Sequence, residues 1–206
     1  MTDTRDEFTS LLWIFGAVTA AVFAIVVVLV VVTIVRSRRR GGDPGWRSAW
    51  PRAEALYAVG LLAIVAVLVA FTFRTESKVD AVSSDPGLVV DVTGFQWQWR
   101  FEYPGGFATA GSREQPAQLV VPADTTVRFR LTSRDVVHSF WVPYVRFKRD
   151  AFPDYVTQFQ LVFPEVGTFG GRCAEFCGLR HADMAFDVVV LPPEEFDAWL
   201  AARSAG

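Results

Sequence analysis

Beyond the initiator methionine, the soft metal-binding side chains of this sequence are two cysteines, two histidines and one methionine. Four of these five fall in one block, Cys173-Ala174-Glu175-Phe176-Cys177-Gly178-Leu179-Arg180-His181-Ala182-Asp183-Met184. The fifth, His138, stands 35 positions before Cys173, in a stretch expected to be a strand. Thiolate, imidazole and thioether together favour copper. A mononuclear blue-copper site takes one Cys, two His and a weak axial Met, and this set has one thiolate more. Two cysteines four apart on a tight loop can each bridge two copper ions. One histidine then terminates each copper, and the Met thioether and a loop carbonyl supply weak axial bonds. Such a pair shares one electron between two metals and changes little in geometry on reduction, so its chemistry is electron transfer. Three duller chemistries use parts of the same set. A Cys173–Cys177 disulfide suits an oxidising compartment but gives His138, His181 and Met184 nothing to do. A Cys₂His₂ zinc site leaves Met184 idle and lacks paired histidine spacing. A single copper leaves one thiol over.

Strands must carry these ligands. Residues 88–92 read as one, and 95–101, Phe-Gln-Trp-Gln-Trp-Arg-Phe, alternates aromatic and polar with period two. Residues 118–121 and 125–132 follow, with Pro122-Ala123-Asp124 as the turn; Thr126, Arg128, Arg130 and Thr132 alternate with Val127, Phe129 and Leu131. Residues 136–142, 155–163 and 185–191 continue the series, and Pro192-Pro193-Glu194-Glu195 opens a short helix to about Ala202. Short strands between turn signals indicate a β-sandwich or barrel.

Two apolar runs precede these strands. Residues 11–35 carry no formal charge and would reach roughly 38 Å as a helix, enough to cross a bilayer with tilt. Residues 56–73 are 18 uncharged residues, just long enough. The segment before the first run is acidic and the run exceeds a signal h-region, so it is expected to be retained. The intervening loop holds Arg36, Arg38, Arg39, Arg40, Arg47 and Arg52 against Asp43 and Glu54. The positive-inside rule puts it in the cytoplasm, with both termini and the strand domain outside the cell membrane. From Glu76 onward 17 acidic and 12 basic side chains leave a net charge of −5, which argues against nucleic acid and suits a basic protein partner. The expected organisation is a membrane hairpin over 1–75 (helices about 11–35 and 55–73, cytoplasmic loop 36–53) and an extracytoplasmic domain over 76–206.

The cysteine block resembles the dinuclear CuA loop of subunit II of haem-copper cytochrome c oxidases. Asp135-Val136-Val137-His138-Ser139-Phe140-Trp141-Val142-Pro143 is similar to that family's first-ligand strand, and Lys148-Arg149-Asp150 to the lysine/aspartate turn after it. Gly94-Phe95-Gln96-Trp97-Gln98-Trp99-Arg100-Phe101 resembles its aromatic strand. The likeness covers nearly the whole chain and is strongest over 94–190. It implies a membrane-anchored all-β fold: a two-helix transmembrane hairpin followed by a cupredoxin-like Greek-key β-barrel. It implies that Cys173 and Cys177 bridge the coppers, that His138 and His181 terminate them, that Met184 is axial, and that Glu175 gives its backbone carbonyl to copper and its side chain to a magnesium ion at subunit I. Trp97 matches the tryptophan that takes electrons from cytochrome c, although period two also lets Trp97 and Trp99 pack together. Glu54 matches by place the glutamate at the mouth of a proton channel into subunit I, and a first-turn acid favouring the helix dipole is an equal reading. The residues around Glu54 depart from the family, which usually has a Trp near Tyr57 and a Pro shortly after. Pro153-Asp154-Tyr155 also departs, standing where Pro-Gly-Arg is common. Asp124, Asp135 and Asp154 are candidates for an acidic docking patch.

The resemblance thus implies the electron-accepting subunit of a terminal oxidase, passing electrons from cytochrome c to haem in subunit I, where O2 becomes water, with subunit III as a further partner. A quinol-oxidase subunit would lack the copper ligands. A CuA subunit of a nitric oxide reductase would share them, and a membrane-anchored copper carrier would not need Trp97.

Overall fold

The computed structural model describes residues 3–39, 51–112 and 114–204. Two long helices come first, α1 (Thr4–Arg39) and α2 (Pro51–Val79). Residues 26–32 of α1 are mostly valine, which favours strand in water. In an apolar medium every backbone group must be satisfied within the segment, and a helix alone does that for a single run. Both helices are long and apolar enough to cross a membrane. Their side chains stay largely uncovered; Phe23 is 69% and Leu56 74% exposed. Phe8, Leu11, Leu12 and Phe15 line a hollow with Thr72, whereas Val18 lines one with Ala63, Ile64, Val67 and Leu68. Rising numbers on α1 meet falling numbers on α2, so the two helices are antiparallel.

Both helices run beyond the apolar stretches 11–35 and 55–73. Of the loop expected over 36–53, residues 40–50, with Arg40, Asp43 and Arg47, lie outside the described residues. Arg36, Arg38 and Arg39 are instead the last turn of α1, and Arg52 lies in α2. Cations suit a helix C-terminus, just as Asp6 and Glu7 suit the first turn of α1.

The chain divides into two compact units, Phe8–Glu76 and a second formed by Ser77–Gly206 with Met1–Glu7. Within the second, the Thr4 hydroxyl donates to the Val145 carbonyl (2.6 Å) and Arg5 pairs with Glu165 (3.1 Å). This unit is a sandwich of two five-stranded sheets. The strands are β1 (Leu88–Phe95), β2 (Gln98–Glu102), β3 (Ala108–Ala110), β4 (Ala117–Pro122), β5 (Val127–Ser133), β6 (His138–Val142), β7 (Phe147–Ala151), β8 (Thr157–Leu161), β9 (Gly167–Cys173) and β10 (Ala185–Leu191). A short helix, α3 (Pro193–Ser204), follows. One sheet runs β3-β2-β1-β5-β8 and the other β4-β10-β9-β6-β7. β1 pairs parallel to β5, and β4 parallel to β10, so each of these pairs is closed by a crossover. The burial of β1, β5 and β10 alternates with period two. Their inward side chains meet aromatic rings from both sheets, with Phe140 stacked on Phe186 (4.9 Å) and Phe129 on Phe159 (5.2 Å).

Three sequence expectations change here. Residues 95–101 are not one strand: β1 ends at Phe95, Gln96 and Trp97 form the turn, and β2 begins at Gln98. Alternation continues through a two-residue hairpin turn, so period alone could not find it. Trp99 is fully buried in β2, edge-on to Phe140 and Phe186, while Trp97 is half-buried at the tip, so the two do not share a strand face. Lys148-Arg149-Asp150 is not a turn but the middle of β7, where Phe147 and Ala151 supply the buried ends.

Candidate metal centre

Three chain segments converge at one end of the sandwich. β6 opens with His138, which is fully buried. β9 ends on Cys173, and Phe140 of β6 is its register partner. Loop 174–184 then returns to β10, closed by a hydrogen bond from the Cys173 N–H to the Met184 carbonyl (2.9 Å). The β1–β2 hairpin tip is the third segment. Gly94 faces His138 so closely that a Cβ there would sit 3.1 Å from the imidazole ring.

The donors cluster around two sulfurs. Cys173 Sγ and Cys177 Sγ are 3.9 Å apart, far beyond the roughly 2.05 Å of a disulfide, and both cysteines are free. His138 Nδ1 lies 3.9 Å from Cys173 Sγ. His181 Nδ1 lies 3.6 Å and Met184 Sδ 3.8 Å from Cys177 Sγ. The Glu175 carbonyl turns inward, 3.2 Å from Cys173 Sγ, while the residue itself is exposed. Ligand atoms of His138, Cys173 and Cys177 all lie within 4.8 Å of one another. Cys173, Cys177 and Met184 are buried, and His181 is half-buried.

These donors fit a soft metal. A metal–thiolate bond is about 2.3 Å, so both sulfurs can reach a shared ion across 3.9 Å. The protonation states point the same way. Burial pushes the Cys177 thiol up, the negative charge on Cys173 pushes it further, and it reaches about 12. Burial also raises Cys173, but hydrogen bonds from His138 and from the Ser139 and Glu175 backbone outweigh it and leave it at about 7. His138 is raised: burial opposes its charge, and Cys173 and Asp135 more than offset that. Without metal, Cys173 is therefore the more readily ionised of the two thiols. A bound cation supplies the positive charge that lets both ionise.

Two supporting residues went unrecognised in the sequence. One is Asp135. Its Oδ1 meets His138 Nε2 at 2.8 Å, which leaves Nδ1 aimed at the sulfurs. Its carboxyl is held low: burial raises it, and hydrogen bonds from the Gln96 N–H, His138 and the Val136 N–H outweigh that. The i, i+3 spacing of Asp135 and His138 was the available signal. Gln96 had none, because its side-chain amide meets the Cys177 carbonyl (2.6 Å) from 81 positions away. Trp97 donates its indole N–H to the same carbonyl (3.3 Å). Glu54 belongs to the helical unit, in the first turn of α2.

An apolar helix pair followed by a cupredoxin-like sandwich, its thiol and imidazole donors gathered at one end, defines a recognisable class. The chain belongs to the cytochrome c oxidase subunit II family, whose domain described as "Cytochrome C oxidase subunit II, periplasmic domain" matches residues 105–191. It is 38% identical over 186 residues to the probable cytochrome c oxidase subunit 2 of Streptomyces avermitilis, covering 71% of this chain and 58% of that protein. It is 29% identical over 250 residues to the cytochrome c oxidase subunit 2 of Corynebacterium glutamicum, covering 94% of this chain and 69% of that protein. The crystal structure of the periplasmic domain of subunit II of cytochrome oxidase of Bradyrhizobium japonicum superposes with a TM-score of 0.55 at 28% identity, covering 60% of this chain and 98% of that one. The chain thus spans less than two thirds of the length of its Streptomyces relatives. The family implies copper binding.

Proposed function

We propose that this chain is the electron-accepting subunit of a terminal respiratory oxidase, with a dinuclear copper centre held by His138, Cys173, the Glu175 carbonyl, Cys177, His181 and Met184. The observation that carries this is the set of six donors, four of them ranged around two thiols 3.9 Å apart. A copper pair there supplies a one-electron carrier that reorganises little on reduction. Asp135 fixes the His138 tautomer, and burial of Cys173, Cys177 and Met184 excludes water from the sulfurs.

Trp97 is the residue we assign to electron acceptance from cytochrome c. Its ring is half-buried at the hairpin tip, and its indole N–H reaches the carbonyl of a ligand residue, Cys177. That bond is a short route from an aromatic donor contact to the sulfurs. Electrons then pass to haem in subunit I, where O2 is reduced; subunit III completes the assembly. The exposed Glu175 carboxylate is available to a magnesium ion shared with subunit I, and Glu54 to protons entering from the cytoplasmic side. The helix pair anchors the domain in the cell membrane, with both termini and the metal centre outside.

The test is the purified full chain loaded with copper. Two coppers per chain and a mixed-valence two-copper EPR signal are expected, and Cys177→Ser should abolish that signal. One copper per chain, or a colourless protein, rules the reading out. Co-purification with a haem-bearing subunit separates an oxidase from a carrier.

A further inference from the structure

Cys177 lies four residues beyond the end of β9, so the sheet does not fix its sulfur. Its carbonyl is instead held by two donors from the opposite sheet, the Gln96 side-chain amide at 2.6 Å and the Trp97 indole at 3.3 Å. Gly178 makes this possible. Its φ of +119° turns the peptide toward these donors, and a Cβ there would stand 3.1 Å from Gln96 Nε2 and 3.3 Å from Trp97 Nε1. Gln96 has a second bond. Its backbone N–H donates to Asp135 Oδ2 at 2.7 Å, and Asp135 Oδ1 holds His138 Nε2 at 2.8 Å. One residue at the β1–β2 tip therefore touches the supports of two ligands that lie on different segments of the other sheet.

We propose that Gln96 is a positioning residue of the metal centre, clamping the Cys177 carbonyl with its amide and Asp135 with its backbone N–H, and so holding the cysteine loop and His138 at a fixed mutual spacing. This rests on the copper reading above. The clamp needs a donor at the end of the side chain. An isosteric carboxylate would set oxygen against the Cys177 carbonyl oxygen and add a negative charge beside Asp135.

Gln96→Glu in the full chain tests this, with Gln115→Glu as a control on an exposed loop. With copper loaded, Gln96→Glu should lose metal to a chelator about tenfold faster or more and alter the EPR hyperfine pattern, while the control matches wild type. Without metal, Cys177 should be alkylated severalfold faster in Gln96→Glu, with site assignment by peptide mass spectrometry, at an unchanged unfolding midpoint. Wild-type rates in both assays overturn the proposal. A wild-type chain that takes up one copper overturns the copper reading instead, and the alkylation rates then decide the clamp by themselves.

Discussion

Asp135 stands three positions before His138, and that spacing sets which imidazole nitrogen faces the sulfurs. The carboxylate takes Nε2 and leaves Nδ1 for metal. Outer partners of this kind are worth about 10–100-fold in metal affinity. Asp135→Ala should therefore weaken copper binding within that range while leaving two coppers per chain at saturation, as read by competition with a chelator of known affinity. A comparable residue-scale device holds Cys177, whose carbonyl would be left to water if the hairpin tip moved.

Strand packing fixes the other end of the sandwich, where β2 and β10 finish. α3 is pinned to the sandwich by an aromatic group in which Tyr103 meets Trp199 edge-on (5.1 Å). The Tyr103 hydroxyl also accepts the Val120 N–H of β4 (2.7 Å) in the buried interior. Tyr103→Phe leaves that N–H without an acceptor and should cost about 1–3 kcal/mol in unfolding free energy. The same residue gives a pH signature. Burial pushes the Tyr103 hydroxyl well above its ordinary value. Its contribution is therefore fully present below the unfolded-state value of about 10 and is lost as pH rises beyond it. Wild type should lose stability above that pH more steeply than Tyr103→Phe, as measured by chemical denaturation across the alkaline range.

At the scale of the whole molecule, the two units have opposite surface chemistry. The helical unit leaves its apolar side chains uncovered, and the sandwich buries its own. Arg36, Arg38 and Arg39 lie in the last turn of α1. The proposed orientation, with the sandwich outside the membrane, rests on the positive-inside rule applied to these arginines. Protease added to intact spheroplasts should remove the sandwich and spare the helix pair; protection of the sandwich would reverse the assigned orientation.

The sequence by itself determined the two helices, because unbroken apolar length is a local property. It also determined the ends of β10, whose alternation matches residues 185–191, and the ligand block, whose residue types are chemically distinctive. β3, β7 and β9 escaped notice. β3 is three residues long, β7 is charged in its middle, and β9 contains three glycines, Gly167, Gly170 and Gly171, too many for a hydrophobic pattern to survive. Only the tertiary structure decided that Gln96 and Trp97 form a hairpin tip and that this tip reaches Cys177. It also decided that Asp135 meets His138 Nε2, and that the two thiols stand 3.9 Å apart as a pair. The reach of the tip to Cys177 joins segments 81 positions apart, and residue spacing along the chain carries no record of such a meeting.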